Sequence, residues 1–218
     1  MKKYEFTGET KQINLLFRTA TLHRIRAVVE FGLVKIGDLG GWIEKEENLS
    51  HDGKAWVCGD AEVWGNAEVC GNAKVCGDAK VWGNAEVWGN AEVCGDAEVW
   101  GNAEVWGNAE VCGNAKVCGD AKVCGNAKVC GDAKVFSASH VLVIGAIGSR
   151  NDFTTFFRDK DGEITVKCGC FLGKIDRFLE KVASTHGNSK YALVYRAAVE
   201  VAKLQIDLTG EAPEMDEE

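Results

Sequence analysis

The chain has 218 residues, a formal net charge of −8 at pH 7 and a hydrophobic content of 46%. This length allows one elongated domain with end caps, or a repeat domain followed by one small domain. The negative charge argues against binding to duplex nucleic acid. The sequence has neither an apolar run of about eighteen residues nor a secretory signal pattern, so we predict a cytoplasmic protein that does not enter a membrane.

Residues 1–52 are predicted to form an N-terminal cap. Tyr4 to Phe6 and Leu22 to Val29 have the composition of strands. The first coil of a repeat protein exposes an apolar cross-section and unpaired strand edges, which need a cover. We therefore expect Trp42 and Trp56 to act as lids on the coil that follows.

From Gly53 to Phe136 one hexapeptide recurs fourteen times without insertion or deletion. The common pattern is Gly, Asn or Asp, Ala, Glu or Lys, Val, and then Trp or Cys. Because side chains alternate along a strand, Ala and Val share a dry face and the charged residue between them lies on the wet face. Each hexad is predicted to form one short strand and one corner. A single hexad buries too little apolar surface to be stable, so the strands must stack.

Read as Val-x-Gly-Asn-Ala-x, the unit resembles the hexapeptide repeat of the left-handed parallel β-helix family. In that family an aliphatic residue and a small residue four positions later both point inward. The resemblance covers about two fifths of the chain, and it departs from the family where Trp or Cys follows the aliphatic residue. It implies a mainly β fold, namely a left-handed parallel β-solenoid with one hexapeptide per strand.

The segments before the repeats carry a second resemblance. Leu22 to Ala27, Gly37 to Ile43 and Asn48 to Ser50 are similar to the leader of a group of uncharacterised bacterial and prophage-borne proteins that contain such repeats. This resemblance extends over most of the chain, but it implies no established activity.

The number of hexads in one coil is left open by the sequence. Three hexads give an 18-residue triangular coil, whereas two give a flat 12-residue two-sided β-roll. The Trp or Cys identity of the hexads repeats better at three than at two, which favours the triangular coil. In that coil Val81 stacks on Val63 and Val99. The flat roll would instead stack Val81 on Val69 and Val93.

Eight of the ten cysteines fill the hexad position that Trp otherwise occupies. We interpret them as small apolar corner residues that stay reduced in the cytoplasm. In the triangular coil, five of them form one column: Cys58, Cys76, Cys94, Cys112 and Cys130. No His accompanies them and the spacing of a tetrahedral site is absent, so no metal site is predicted.

Two degenerate hexads, Ser137 to Leu142 and Val143 to Gly148, keep an aliphatic residue in the Val position. We predict that they close the solenoid, which then spans residues 53–148. An acidic tail, residues 209–218, is predicted to be disordered.

Residues 149–208 are predicted to form a small α+β module. Phe153 to Arg158 and Glu163 to Cys168 flank a turn sequence, which is typical of a β-hairpin. Apolar residues from Ile175 onward then recur at helical spacing, and a second amphipathic helix is predicted to begin after Ser189.

No catalytic, cofactor-binding or metal-binding residue is predicted. Arg150, Phe157 and Arg158 are the candidate partner-binding residues, because they lie on a hairpin with more aromatic character than a simple lid requires. The alternative is that the whole module only covers the last coil.

We predict a non-enzymatic structural or adaptor protein, in which a rigid rod presents the C-terminal module to an unknown protein partner. Whether the chain is a monomer or a homo-oligomer is left open. The alternative function is a degenerate relative of the hexapeptide-family acyltransferases. The resemblance implies that such enzymes take a catalytic His from a coil or an inserted loop, but the histidines lie outside the repeats, at His23, His51, His140 and His186.

Overall fold

Each hexad of the repeat block contributes one two-residue strand core, built from its Val and the residue before it, which is charged in every hexad except the first, where it is Trp56. The strands pair in parallel with partners 18 residues away, so Val81 lies between Val63 and Val99. Three hexads therefore complete one coil. The triangular coil is confirmed, and the flat roll is wrong. In this computed structural model, which describes residues 2–213, the coils form a parallel β-solenoid of about five turns.

Three parallel sheets form the faces of the solenoid. The long sheet contains β3 (Leu39–Ile43), β5 (Glu62–Val63), β8 (Lys80–Val81), β11 (Glu98–Val99), β14 (Lys116–Asp120) and β17 (Lys134–Ser137). The five-stranded sheet contains β4 (Trp56–Val57), β7 (Lys74–Val75), β10 (Glu92–Val93), β13 (Glu110–Val111) and β16 (Lys128–Val129). The third sheet contains β6 (Glu68–Val69), β9 (Glu86–Val87), β12 (Glu104–Val105) and β15 (Lys122–Val123). The Ala and Val side chains of all three faces fill the core between them.

The corners explain why every hexad of the block begins with Gly. At Gly83 the backbone has φ +70°, which a residue with a side chain rarely adopts. A Cβ atom at this position would also lie 3.0 Å from the backbone nitrogen of Gly101 in the next coil. Where a further coil stacks on the corner, as it does at Gly83, both the backbone angle and the lack of space therefore favour glycine.

The N-terminal cap extends the long sheet by a hairpin. β1 (Tyr4–Asn14) pairs with β2 (Thr19–Ala27), and β2 pairs with β3, both antiparallel. Trp56 packs in the cap between Tyr4 and Phe31, as expected of a lid. Trp42 is not a lid, because it faces outward beside Glu62, with Lys11 over its ring.

The solenoid begins before Gly53. Ile43 pairs with Val63, and Leu49 forms a bridge to Val69, both at an offset of 20 residues instead of 18. A 3-10 turn at Glu46–Asn48 separates the two. The buried Asn48 amide donates to the carbonyl oxygens of Gly65 and Ala67, at 3.1 and 2.9 Å, and so takes the place of a preceding strand.

The prediction that 137–148 form two closing hexads is wrong. A 3-10 turn (Ala138–His140) leads into β18 (Val141–Ile147), which pairs antiparallel with β19 (Asp152–Arg158). The physical reason lies in the corners: Ser137 and Val143 occupy the positions where every earlier hexad has Gly. Without that residue the chain cannot make another tight corner.

The C-terminal module contains the predicted hairpin and both predicted helices. β19 pairs with β20 (Ile164–Cys168), and β21 (Phe171–Lys174), which was not predicted, adds a fourth strand. The helices α1 (Ile175–His186) and α2 (Lys190–Gln205) pack on this sheet around a second core that includes Phe156 and Tyr195. No helix within residues 2–213 is long and apolar enough to cross a membrane.

Residues 209–213 of the predicted acidic tail have no regular secondary structure. The remainder of that tail, 214–218, lies outside the described residues.

Candidate functional site

The outer faces of the coils are regular, and many of their polar side chains pair with the side chains stacked above or below them. Charged residues stacked on one another form ion pairs along the faces, at Lys74–Glu92, Lys116–Glu98, Lys122–Glu104 and Lys128–Glu110. At two corners, asparagine side chains form ladders in which each amide donates to the side-chain oxygen 18 residues later, as from Asn90 to Asn108 at 3.0 Å. One coil surface therefore looks much like the next.

This regularity ends where the last coils meet the C-terminal sheet. There a cleft of about 400 Å³ opens between the two units. The coils contribute Asn108, Asn126 and Lys128, and the module contributes Arg150, Asp152, Phe153, Thr155, Lys167 and Gly169.

Backbone contacts hold the two walls of the cleft together. The backbone N–H of Lys128 donates to the hydroxyl oxygen of Thr155 at 3.0 Å, which fixes β16 against β19. On the module side, Gly169 has φ +57°, and a Cβ atom there would collide with the guanidinium of Arg150. Glycine at position 169 thus makes room for the arginine in the cleft.

The cleft is rich in hydrogen-bond donors and positive charge. Lys128 is paired with Glu110 at 2.8 Å, whereas Arg150 and Lys167 form no ion pair with any residue in the range 2–213. Among residues 2–213, Asp152 is the one carboxylate that lines it. Arginine and lysine side chains without a carboxylate partner favour an anionic group, which they bind through charge-assisted hydrogen bonds.

Asn126 adds a further donor. It ends the ladder that begins at Asn72, and its side-chain oxygen accepts from the Asn108 amide at 3.2 Å. Its own amide nitrogen donates to no acceptor in the described part of the chain. The Asn126 amide nitrogen, at the end of the ladder, is therefore available to donate to a group bound in the cleft.

The structure separates the three predicted partner-binding residues. Arg150 lines the cleft. Phe157 is fully buried in the solenoid core, where it closes the last coil, so its prediction as a surface contact is wrong. Strand alternation places its side chain on the same face of β19 as Thr155, which contacts the last coil.

Arg158 is also buried, with 8% of its surface exposed. Its guanidinium lies 4.8 Å from the ring centroid of Phe136 and donates to the carbonyl oxygen of Gly210 at 3.3 Å. It therefore holds the segment after α2 against the last coil, and it does not face the cleft.

Sequence reasoning missed Lys128 and Lys167 as members of the cleft. Lys128 is one of the lysines that fill the charged position of successive hexads, and Lys167 is one polar residue in an alternating strand. Only the fold brings them to Arg150. No pattern in the sequence distinguishes them from the other lysines.

A second hollow, of about 510 Å³, lies beside the loop between β2 and β3. One wall is apolar and consists of Phe31, Leu33 and Trp56. Lys74 and Glu92 also line the hollow, and they form an ion pair with each other at 3.2 Å. Its charged lining residues balance one another, two acidic against two basic, whereas the lining of the cleft at the C-terminal junction has three basic residues and one acidic residue.

The sequence matches no protein-family model. It matches no curated protein either. The chemistry of the cleft is therefore the guide to function.

Proposed function

We propose that this protein is a non-enzymatic adaptor whose solenoid is a rigid rod and whose C-terminal junction binds an acidic segment of a partner protein. The observation that carries the proposal is the cleft itself. Arg150 and Lys167 face it without ion-pair partners among residues 2–213, and the open amide of Asn126 lies beside them.

The rest of the solenoid is poorly suited to specific binding. Its ion pairs and asparagine ladders repeat from coil to coil, so a partner would meet almost the same surface at several heights. Specific recognition requires groups that converge at one place. The junction supplies such a place, because a regular unit and an irregular unit meet there.

The module supports this role in two ways. Phe157 closes the last coil and anchors the module to the rod. The second core, between the C-terminal sheet and the two helices, gives the module a rigid body of its own. The cleft is therefore held between two firm walls.

We also propose that the chain belongs to the hexapeptide-repeat left-handed β-helix family, of the bacterial or prophage-borne group, and works in the cytoplasm. The 18-residue coil and the inward Val residues support the family assignment. Ten reduced cysteines would suit a reducing compartment.

We favour an adaptor over a degenerate acyltransferase because the coils run from Gly53 to Phe136 without an inserted loop. The repeat block also contains no histidine. In the enzymes that this repeat resembles, a loop or a coil histidine would be expected at the catalytic centre.

A charge-reversal experiment tests the proposal. The probe is a fluorescent poly-glutamate peptide, whose binding is followed by anisotropy at low and at high salt. The variant is Arg150→Glu/Lys167→Glu, and the matched control is Arg177→Glu/Arg196→Glu, which makes the same change in net charge on exposed helix surfaces.

We expect the cleft variant to bind the peptide at least tenfold more weakly, since each charged hydrogen bond contributes about 1.5–3 kcal/mol. The control variant should bind as the unmodified protein does. Equal weakening by both variants would mean that only net charge matters, and the proposed site would be wrong.

A further inference from the structure

The cysteine column lies at the corner between the five-stranded sheet and the long sheet. Its members are Cys58, Cys76, Cys94, Cys112 and Cys130, each directly above the last. Neighbouring strands in a sheet are about 4.8 Å apart, and a disulfide needs Cα atoms roughly 4.4–6.8 Å apart. Stacked coils therefore bring successive thiols within bonding range.

The upper end of the column brings two sulfur atoms into contact. Val111 pairs with Val129, and the N–H of Cys112 donates to the carbonyl oxygen of Val129 at 2.9 Å. This register places Cys112 over Cys130, with their Sγ atoms 2.6 Å apart.

The other two corner columns do not place one thiol on another. Cys118 lies between Trp100 and Phe136, and Cys124 lies above Trp106, because the 18-residue repeat puts an aromatic residue next to each. These cysteines are natural controls, since they occupy the same hexad position.

The surroundings favour ionisation of one thiol of the pair. The Cys112 thiol lowers the pKa of Cys130 by donating to it, and the nearby Lys167 ammonium acts in the same direction, while burial and Glu110 oppose them. The same contact raises the pKa of Cys112. Cys130 is thus the more readily ionised thiol of the pair, and Cys112 donates a hydrogen bond to it.

We propose that Cys112 and Cys130 are an oxidation site, which a hydroperoxide converts into a disulfide between the last two coils. The pair is partly exposed on the side of Cys112. A peroxide is small enough to reach it from there.

The chemistry is a two-electron oxidation of two thiols. The Cys130 thiolate attacks one peroxide oxygen, the O–O bond breaks, and a sulfenic acid and hydroxide form. The Cys112 sulfur then attacks the Cys130 sulfur, the S–O bond breaks, and water leaves with the remaining thiol proton. In sum, two thiols and one hydrogen peroxide give one disulfide and two waters.

The cross-link would act where the rod meets its module. It joins β13 to β16, and β16 carries Lys128 of the cleft and contacts Thr155 of the module. Oxidation would therefore lock the last coil to the one before it, independently of what the cleft binds.

The test counts free thiols by intact mass after denaturation and alkylation with N-ethylmaleimide. Among the other column members, the Cys58 and Cys76 thiols also share a hydrogen bond, so all measurements use a Cys58→Ser background, which leaves nine of the ten cysteines. Assignment relies on substitutions because three tryptic peptides share the sequence Val-Cys-Gly-Asp-Ala-Lys, at 75–80, 117–122 and 129–134.

After treatment with hydrogen peroxide we expect two fewer alkylated thiols, reversed by dithiothreitol. Adding Cys112→Ser or Cys130→Ala should abolish that loss, whereas adding Cys118→Ser or Cys124→Ser should leave it intact. Circular dichroism before oxidation checks that each variant folds.

The proposal is overturned if the Cys112 and Cys130 variants still lose two thiols, or if the Cys118 variant does not. It is equally overturned if peroxide produces only sulfinic acid on the folded background protein and no reducible cross-link.

Discussion

Lys3 shows how a single side chain can pair a backbone group that the end of a repeat leaves without a neighbouring strand. The five-stranded sheet ends at β4, and the buried Lys3 side chain donates to the carbonyl oxygen of Ala55 at 2.7 Å in place of a further strand. Burial lowers the pKa of Lys3 from 10.5 to about 8. Folding therefore disfavours the charged form of this lysine.

This shift predicts a pH dependence of stability. Between about pH 8 and 10.5 the unfolded chain holds the Lys3 proton while the folded chain releases it, so stability rises with pH in this window. We expect the free energy of unfolding of the unmodified protein to rise by on the order of 1–3 kcal/mol relative to Lys3→Met. Urea titrations at several pH values would measure it.

The control is Lys35→Met, which removes an exposed lysine. Its stability relative to the unmodified protein should stay constant across the window. If the Lys3→Met difference were also constant, Lys3 would not be the titrating group.

Trp82 shows that the two tryptophan corners are not equivalent. Its ring is stacked between those of Trp64 and Trp100, with centroids 4.9 and 5.0 Å away, and only 3% of its surface is exposed. Trp88 stacks on Trp106 alone and is partly exposed.

We expect Trp82→Cys to cost about 3–5 kcal/mol, because it opens a gap between two buried rings. Trp88→Cys should cost roughly 1–2 kcal/mol, since less surface is buried there. Cys is a natural occupant of this hexad position, so neither change strains the backbone. Equal shifts in the denaturant midpoint would show that ring burial does not set the cost.

At the level of the strands, the order of charges along a face has consequences. Glu86 stacks between Glu68 and Glu104, which are like charges. Glu98 stacks between two lysines, Lys80 and Lys116, and pairs with the second at 2.7 Å. The same substitution should therefore have opposite effects at the two positions.

We predict that Glu86→Lys stabilises the protein by about 0.5–1 kcal/mol and that Glu98→Lys destabilises it by a similar amount. Both effects should shrink at high salt, because Glu86 is exposed and Glu98 is partly accessible to solvent ions. Thermal melts at low and high salt would measure the difference. Effects of the same sign would contradict the pairing along the faces.

The strands of the solenoid could be predicted from the sequence where the hexad repeats. Its first turn and its end could not, because single residues determine them. Ala and Val on either side of one outward residue indicate the inward face in every hexad. The 20-residue first turn depends instead on Asn48, whose amide replaces a strand. The end of the solenoid depends on Ser137 and Val143 in Gly positions, and aliphatic spacing alone wrongly extended it.

For the whole molecule, Phe157 is the joint between rod and module. It is fully buried against the last coil, whereas Phe153, four residues earlier on the same strand, is 37% exposed and lines the cleft. Strand alternation alone leaves open which aromatic residue plugs the coil. The cleft could not be predicted from the sequence either, because its walls come from two units and meet only when the module packs against the last coil.

We expect Phe157→Asp to release the last coil, because an unpaired carboxylate in this core costs several kcal/mol. Hydrogen exchange should show loss of protection in β16 and β17 before any loss in α1 and α2, which have their own core. Phe153→Asp should leave the coil amides protected. A uniform loss across the chain would mean that rod and module unfold as one unit.

The cap and the module are irregular, whereas the coils between them repeat, so the number of hexads sets the distance between the two ends. Adding three hexads would lengthen the rod by about 4.8 Å and leave cap and module in the same angular relation. Adding a single hexad would turn the module by a third of a revolution around the rod axis, because three hexads complete a coil. Copy number of the repeat would thus set both the reach of the protein and the direction in which its far end points.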